Sequence, residues 1–430
     1  MRARLVLLLA AGLLGAAISA AILPSALAPR SSEAGDGGLA LETIKEALDA
    51  EVDAGVRAGF VAGFVTRDGE ARLVAAGMAN REAGAPMTTA TRFRIASMTK
   101  PIITAAIMQL VDRGVLSLDD PVARYIPAYA EARVAETQEP DARGEFATRA
   151  PTRAMTIHDL LTHTAGIGYV FEAASTLDRL YLEANLLTGE GTLAERIDRI
   201  ARLPLYDDPG KEWRYSYSID IAARIIEVAT GEPIEAYLKK NLLGPLGMTD
   251  TEFLLDAADL DRVATLYEFD ADGRLAAAGD IDLAGDVNKD GFGVASGGAG
   301  LVSSAPDYLR FCLMMLRGGD APGGRVLSKE SVRRMMADNL APGANARLWE
   351  HDSASFGLGG TIVTDATRAE GEAVNGEWGW TGHFDTWFVV NPQDGVAAVV
   401  LSQTNPGPTM PPSRARALVK SVAYGAAIRR

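Results

Sequence analysis

Strand signals stand at the two ends of this chain and are missing from its middle. Near the N-terminus, "GFVAGFVTRDGEARLVAAGMAN" reads as two short strands around an Asp68-Gly69 turn. Near the C-terminus, "SFGLGGTIVT", "GWTGHFDTWFVV" and "GVAAVVLSQ" are short, β-rich and bounded by Gly, Pro or Asp, with "NPQDG" turning between the last two. The middle reads differently. "TLAERIDRIARLP", "SIDIAARIIEVATG" and "EPIEAYLKKNLLGPLG" carry apolar residues at helical spacing, with glycines where helices should stop. Helical patterns also flank the strands, in "LETIKEALDAEVDAG" from Leu41 and in "PSRARALVKSVAYGAAIR" at the end. Strands that lie far apart in sequence can bury their apolar faces by joining one sheet. The expected fold class is therefore α/β: an antiparallel sheet built from both chain ends, flanked by helices, with a mainly helical insertion at about residues 115–285.

The chain can fill such a core. It has 430 residues, 48% of them hydrophobic, and no internal repeat. Its formal charge of -14, with no basic stripe, argues against nucleic acid as a partner. The single cysteine, Cys312 in "YLRFCLMML", excludes an intrachain disulfide framework and reads as a small buried hydrophobe.

The N-terminus has its own pattern. Arg2 and Arg4 precede an apolar run from Leu5 to Leu23, and Ala26-Leu27-Ala28 follows. Residues 1–28 read as a secretory signal peptide or, since the run is close to spanning length, an uncleaved N-terminal anchor. Residues 29–40, "PRSSEAGDGGLA", read as a linker to a domain at 41–430. The expectation is an exported protein, periplasmic or secreted, that meets a membrane only through this segment.

One stretch carries chemistry: "FRIASMTKPIITAAIMQLVDRG", residues 93–114. A proline lacks an N–H and clashes with the carbonyl four residues back, so it is tolerated only in a helix's first turn. Pro101 thus places the helix start at about Ser97. Ser97 and Lys100 then share one face, a turn apart, at the positive end of the helix dipole. That position suits a serine nucleophile whose carbonyl partner becomes an oxyanion. A lysine shielded from water can take a hydroxyl proton near neutral pH. A capping serine and a solvated lysine would look the same in so short a motif.

The surrounding phrases decide between these readings. "FRIASMTKPI", "MTIHDLLTHTAGIGY", "PGKEWRYSYSIDIAARIIEVATG", "LLGPLGMTDTEF", "SGGAGLVSSAPDYLRFCLMML" and "WGWTGHFDTWFVVNPQDGVAAVVLSQ" occur in that order. Together they resemble the serine β-lactamase-related family, which holds class C β-lactamases, D-alanyl-D-alanine carboxypeptidases, and esterases and acyltransferases of the same fold. The resemblance runs from about residue 41 to the end. It implies a β-lactamase/transpeptidase-like fold, with Ser97 as acylated nucleophile and Lys100 as its activating partner. Tyr215 matches the tyrosine of the family's tyrosine-x-asparagine motif, a general base or acid. Whether Lys100 or Tyr215 takes the Ser97 proton stays open. The resemblance also implies an oxyanion hole made by the backbone N–H groups of Ser97 and His383.

Two departures from the family pattern bear on the substrate. Tyr217 replaces the asparagine of the second motif. The third motif, lysine-threonine-glycine in the family, is here Trp380-Thr381-Gly382. An indole supplies apolar surface and one N–H donor, not the positive charge that attracts a substrate carboxylate. Tryptophan there is a feature of the esterase branch. Tyr217, Trp380, Thr381 and Gly382 are accordingly the expected substrate-binding residues.

Other constellations are weaker. No G-x-S-x-G elbow occurs, and His158 and His163 are five apart, off the spacing of helical zinc ligands. "SGGAGLVSS" is neither a P-loop nor a dinucleotide fingerprint and reads as a tight backbone passage. No metal or organic cofactor is implied. The sequence thus predicts a serine hydrolase acting through an acyl-enzyme: a carboxylesterase on neutral, apolar-acyl small-molecule esters, with transacylation as a variant outcome. The alternatives are a β-lactamase or D-alanyl-D-alanine carboxypeptidase, and a non-catalytic exported ligand-binding protein.

Overall fold

The computed structural model describes residues 36–169, 174–184, 186, 191–253, 262–278, 294–342, 344, 354–365 and 373–428. The segment read as signal peptide or anchor lies outside the described residues. The stretch read as a linker is shorter than expected. Helix α1 spans Asp36–Asp53, so its first turns use residues placed in the linker. The reading started the helix at Leu41 because the apolar stripe begins there, but an acidic residue such as Asp36 suits a helix start.

An eight-stranded sheet forms from both chain ends. Its strands, in chain order, are β1 (Gly59–Thr66), β2 (Ala71–Asn80), β3 (Ala85–Pro86), β4 (Ala354–Phe356), β5 (Thr361–Val363), β6 (Trp378–Gly382), β7 (Thr386–Asn391) and β8 (Val396–Leu401). Their spatial order is β4-β5-β6-β7-β8-β1-β2-β3, and every neighbouring pair is antiparallel. The join between the ends is β1 against β8, in register from Val61 opposite Leu401 to Thr66 opposite Val396.

Side-chain alternation sorts β1 between two cores. Phe60, Ala62 and Phe64 face a layer made by α1 and the last helix, α5 (Ala415–Ile428), with Ile44, Leu48, Val419 and Ala423. Val61 and Val65 face a larger core on the other side, which includes Ile102, Ile103 and Ile107 of α2 (Thr99–Asp112), Ile221 and Ile225 of α3 (Ser218–Thr230), and Leu309 and Phe311 of α4 (Ala305–Leu316). Each such side chain contributes about 1.5–3 kcal/mol when fully buried. This burial joins the two chain ends without a covalent link. Cys312 is buried in the larger core. Among the described residues, no helix is long and apolar enough to cross a membrane.

Candidate active site

Ser97 sits at the junction of sheet and helix. It lies in a single 3-10 turn, Ala96–Met98, that runs straight into α2. The preceding Ala96 has φ +44°, a conformation that costs a residue with a Cβ of order 1 kcal/mol or more. That sharp entry turns the chain from a short strand, Arg92–Arg94, into the helix within two residues. Pro101 falls in the first turn of α2, as expected.

Lys100 is fully buried. Its Nζ donates to Ser97 Oγ at 3.1 Å and to the Gly298 carbonyl at 2.7 Å. It also lies 4.6 Å from the ring centre of Tyr215 and 5.7 Å from that of Tyr169. Tyr215 stands just ahead of α3, and its hydroxyl oxygen accepts from Trp380 Nε1 at 3.3 Å. Four of the expected residues, Ser97, Lys100, Tyr215 and Trp380, therefore form one contiguous group.

Aromatic rings surround that group. Tyr215 packs on His163, Tyr169 and Trp380 with ring centres 4.9, 5.3 and 5.5 Å away. Phe356 stands edge-on to Trp380 at 5.4 Å. Tyr217 is set one layer back. It is buried and stacks on Tyr169 at 4.5 Å, so its role in shaping the site passes through Tyr169. Tyr169 was not singled out from the sequence. It closes the phrase "LLTHTAGIGY", where a tyrosine after glycines carries no periodicity to mark it.

The third-motif strand divides its residues between two faces. Trp380 pairs with Phe388 and faces the large core. Thr381 pairs with Trp387, which packs with the α1–α5 layer, so the Thr381 side chain lies on the face opposite Trp380. Gly382 is needed for a close approach. A Cβ there would lie 2.3 Å from the Ile95 carbonyl oxygen and 2.1 Å from Thr386 Oγ1. Strand β6 thus rests directly on the backbone that leads into Ser97.

His383 follows in a three-residue turn to β7. Its Nε2 pairs with Asn405 Oδ1 at 3.2 Å, and burial pushes the imidazole down to about 4, so it is neutral at pH 7. The turn is clamped at Asp385, which has φ +61°. Its Oδ2 accepts from Arg57 Nε and its Oδ1 from Arg416 Nη2, both at 2.6 Å. Burial opposes ionisation of Asp385, but Arg416 and Arg57 together hold its carboxyl below the usual carboxylate range.

His163 brackets Tyr215 from both sides along the chain. Its carbonyl accepts from the Arg214 N–H at 2.8 Å, and its Nδ1 pairs with Ser216 Oγ at 2.9 Å. Burial, and then the charge of Lys100, push its imidazole well below the usual histidine range. A buried ring thus holds the residues on either side of Tyr215.

The glycine-rich passage, read as a tight backbone passage, reaches the site directly. Its Gly298 carbonyl accepts from Lys100. Among the described residues, no group of three or more His, Cys, Asp or Glu is placed to hold a metal ion.

Comparison with known proteins agrees with this geometry. A sequence model of the β-lactamase family matches residues 44–423. The chain is 33% identical to esterase EstB of Burkholderia gladioli over 349 residues, covering 77% of this chain and 82% of EstB. It is 29% identical to the monacolin J acid methylbutanoyltransferase of Aspergillus terreus over 342 residues, covering 75% and 79% of the two chains. Among solved structures it superposes on EstCE1, a hydrolase with promiscuous acyltransferase activity, with TM-score 0.74 and 26% identity, covering 91% of this chain and 99% of that one. The family-model match runs from within α1 to within α5 and includes Ser97, Lys100, Tyr215 and Trp380. The chain belongs to the β-lactamase family, in its esterase and acyltransferase branch, and is a serine hydrolase.

Proposed function

We propose that the protein is a carboxylesterase for neutral, apolar-acyl esters and that it works through an acyl-enzyme on Ser97. Ser97 Oγ attacks the ester carbonyl, and its proton passes to the Lys100–Tyr215 pair. The backbone N–H groups of Ser97 and His383 receive the oxyanion, where fixed donors act most strongly. The proton then goes to the departing alkoxide, which leaves as an alcohol. Water attacks the acyl-Ser97 ester, releases the acid and restores the serine.

One observation carries the choice of substrate. Trp380 is nearly buried, at 4% exposure, and places its indole against Tyr215 and Phe356 where the family's lactamases and peptidases have a lysine. This wall offers an apolar acyl or alcohol group a surface and offers a carboxylate no charge. A second reading, transfer of the acyl group to an alcohol instead of water, draws on the acyltransferase names among the relatives.

The test is a panel of short-chain nitrophenyl esters, a chromogenic cephalosporin and a D-amino dipeptide, run with wild type and Ser97→Ala. Ester cleavage that vanishes in Ser97→Ala, with weak lactam turnover, is the expected result. Efficient lactam turnover with negligible ester cleavage would overturn it. Failure of a fluorophosphonate probe to label Ser97 in the folded protein would point to the ligand-binding alternative. Export, proposed from residues 1–28, is checked by fractionation and N-terminal sequencing of the mature protein.

A further inference from the structure

Asp220 is an acidic side chain that the mechanism above does not use. It lies in the first turn of α3 and is fully buried. Its Oδ1 accepts from Ser296 Oγ at 2.6 Å and from the Gly298 N–H at 3.1 Å. Among the described residues its Oδ2 is buried without a hydrogen-bond partner. Burial pushes its carboxyl above the usual carboxylate range, while Ser296, the charge of Lys100 and the Gly298 N–H act in the opposite direction. A bare carboxylate in such a place is costly unless a positive charge stands near.

The cation is Lys100. Gly298 joins the two, because its N–H binds Asp220 and its carbonyl accepts from Lys100 Nζ. No other residue fits at that point: a Cβ on Gly298 would lie 2.3 Å from Asp220 Oδ2. Ser296 and Gly298 thus hang from one carboxylate, and the lysine beside Ser97 hangs from the same passage.

We propose that Asp220 is the positioning residue and counter-charge of Lys100, acting through Gly298. This rests on the reading of Lys100 as proton partner of Ser97. The other groups facing Lys100 are Ser97, Tyr215 and Tyr169, with His163 behind them, and of these none brings a fixed negative charge. Asp220 supplies the negative charge nearest the lysine and, through Gly298, keeps Nζ aimed at Ser97 Oγ. The same arrangement makes the proton transfer sensitive to a residue that never meets the substrate.

The test is Asp220→Asn in the full chain, with kcat and KM followed across pH on a nitrophenyl ester. Loss of the carboxylate lowers kcat about 10–100-fold, as expected for a disturbed proton partner, and leaves KM nearly unchanged. The limb of the kcat profile set by Lys100 moves to lower pH by about one unit or more, because a nearby opposite charge has gone. A shifted acid limb means that Lys100 takes the proton; a shifted alkaline limb means that Lys100 works as the cation while Tyr215 takes it. A purely structural role would lower Tm and leave both limbs in place. Folded Asp220→Asn with an unmoved profile and kcat within twofold overturns the proposal. Ser296→Ala, which loosens the same passage and keeps the carboxylate, provides the test if Asp220→Asn does not fold. It lowers kcat with KM unchanged, and an unchanged kcat refutes the idea. Fluorophosphonate labelling of wild type separates the two readings. An unlabelled wild type refutes the site itself and this proposal with it; a labelled one with unmoved limbs refutes this proposal alone.

Discussion

Replacing Trp380 by phenylalanine separates what the indole does as a surface from what it does as a donor. The phenyl ring keeps an aromatic face toward Phe356 and Tyr215. What disappears is the Nε1–H that reaches the Tyr215 hydroxyl at 3.3 Å. In the resting enzyme that bond is long, and its loss costs about 0.5–1.5 kcal/mol. During acylation negative charge grows on the Tyr215 oxygen whenever Tyr215 carries the Ser97 proton. A donor to a charged oxygen is worth about 1.5–3 kcal/mol. The difference between resting and transition states then appears in kcat. That difference is about 1–1.5 kcal/mol, so Trp380→Phe lowers kcat by about 5- to 13-fold, with little change in KM. The assay is steady-state hydrolysis of a nitrophenyl ester beside a thermal melt, which reports the cost of the smaller side chain separately. A folded variant with kcat within twofold of wild type would refute the reasoning: the indole would then be wall alone, and Tyr215 would bear no charge during the step.

Three further outcomes follow from the geometry. Asp385→Ala strands Arg57, which is 1% exposed, and should cost about 3–5 kcal/mol in a chemical denaturation experiment. Because the Asp385 carboxyl is held below its unfolded value, its stabilising contribution is complete above that value and is lost as pH falls through the folded one; a wild type losing no more stability than Asp385→Ala on acidification would contradict this. His383→Ala should retain most turnover, since the imidazole faces Asn405 and only the backbone is assigned to the oxyanion. For the same residue, with the folded value at about 4 and the ordinary one near 6.5, wild-type stability should decline between those pH values more steeply than that of the alanine variant; parallel curves would speak against it. Tyr217→Asn, which writes the family's usual second motif into this chain, should destabilise the fold by several kcal/mol through the lost stack on Tyr169, roughly as other buried aromatic truncations do. It should confer no efficient cephalosporin turnover, because Trp380 still supplies no charge, and a colour change with the chromogenic cephalosporin would show otherwise.

What was legible from sequence, and what was not, follows from the range of the interactions. Ser97 and Lys100 could be placed on one face because Pro101 has only one tolerable position in a helix, a local constraint. The sheet could be anticipated because strand alternation is also local. Asp220 could not. An acidic residue in the first turn of a helix is the ordinary dipole-complementing choice, and nothing nearby says that it is buried beneath Gly298, a residue 78 positions on. Tyr217 read as a pocket residue because the second motif faces the site in the family, while its burial depends on where Tyr169 lies. Thr381 read as a substrate contact with its neighbours, and only the pairing of β6 with β7 shows which face it takes. The start of α1 was misplaced because apolar periodicity marks the buried stripe of a helix rather than its first turn.

The pairing of β1 with β8 bears on how such an enzyme comes into being. Val61 meets Leu401 across 340 positions of chain, and β6, which rests on the turn of Ser97, is likewise made long after that turn. Ser97 is thus polymerised well before the wall that supports it. Contacts of such long sequence separation form slowly, and the intervening segment must wait with apolar surface uncovered. A nascent chain that has released α2 but not β8 lacks the strand on which β1 closes. A chain cut short before β6 therefore carries Ser97 without the strand that rests on its turn.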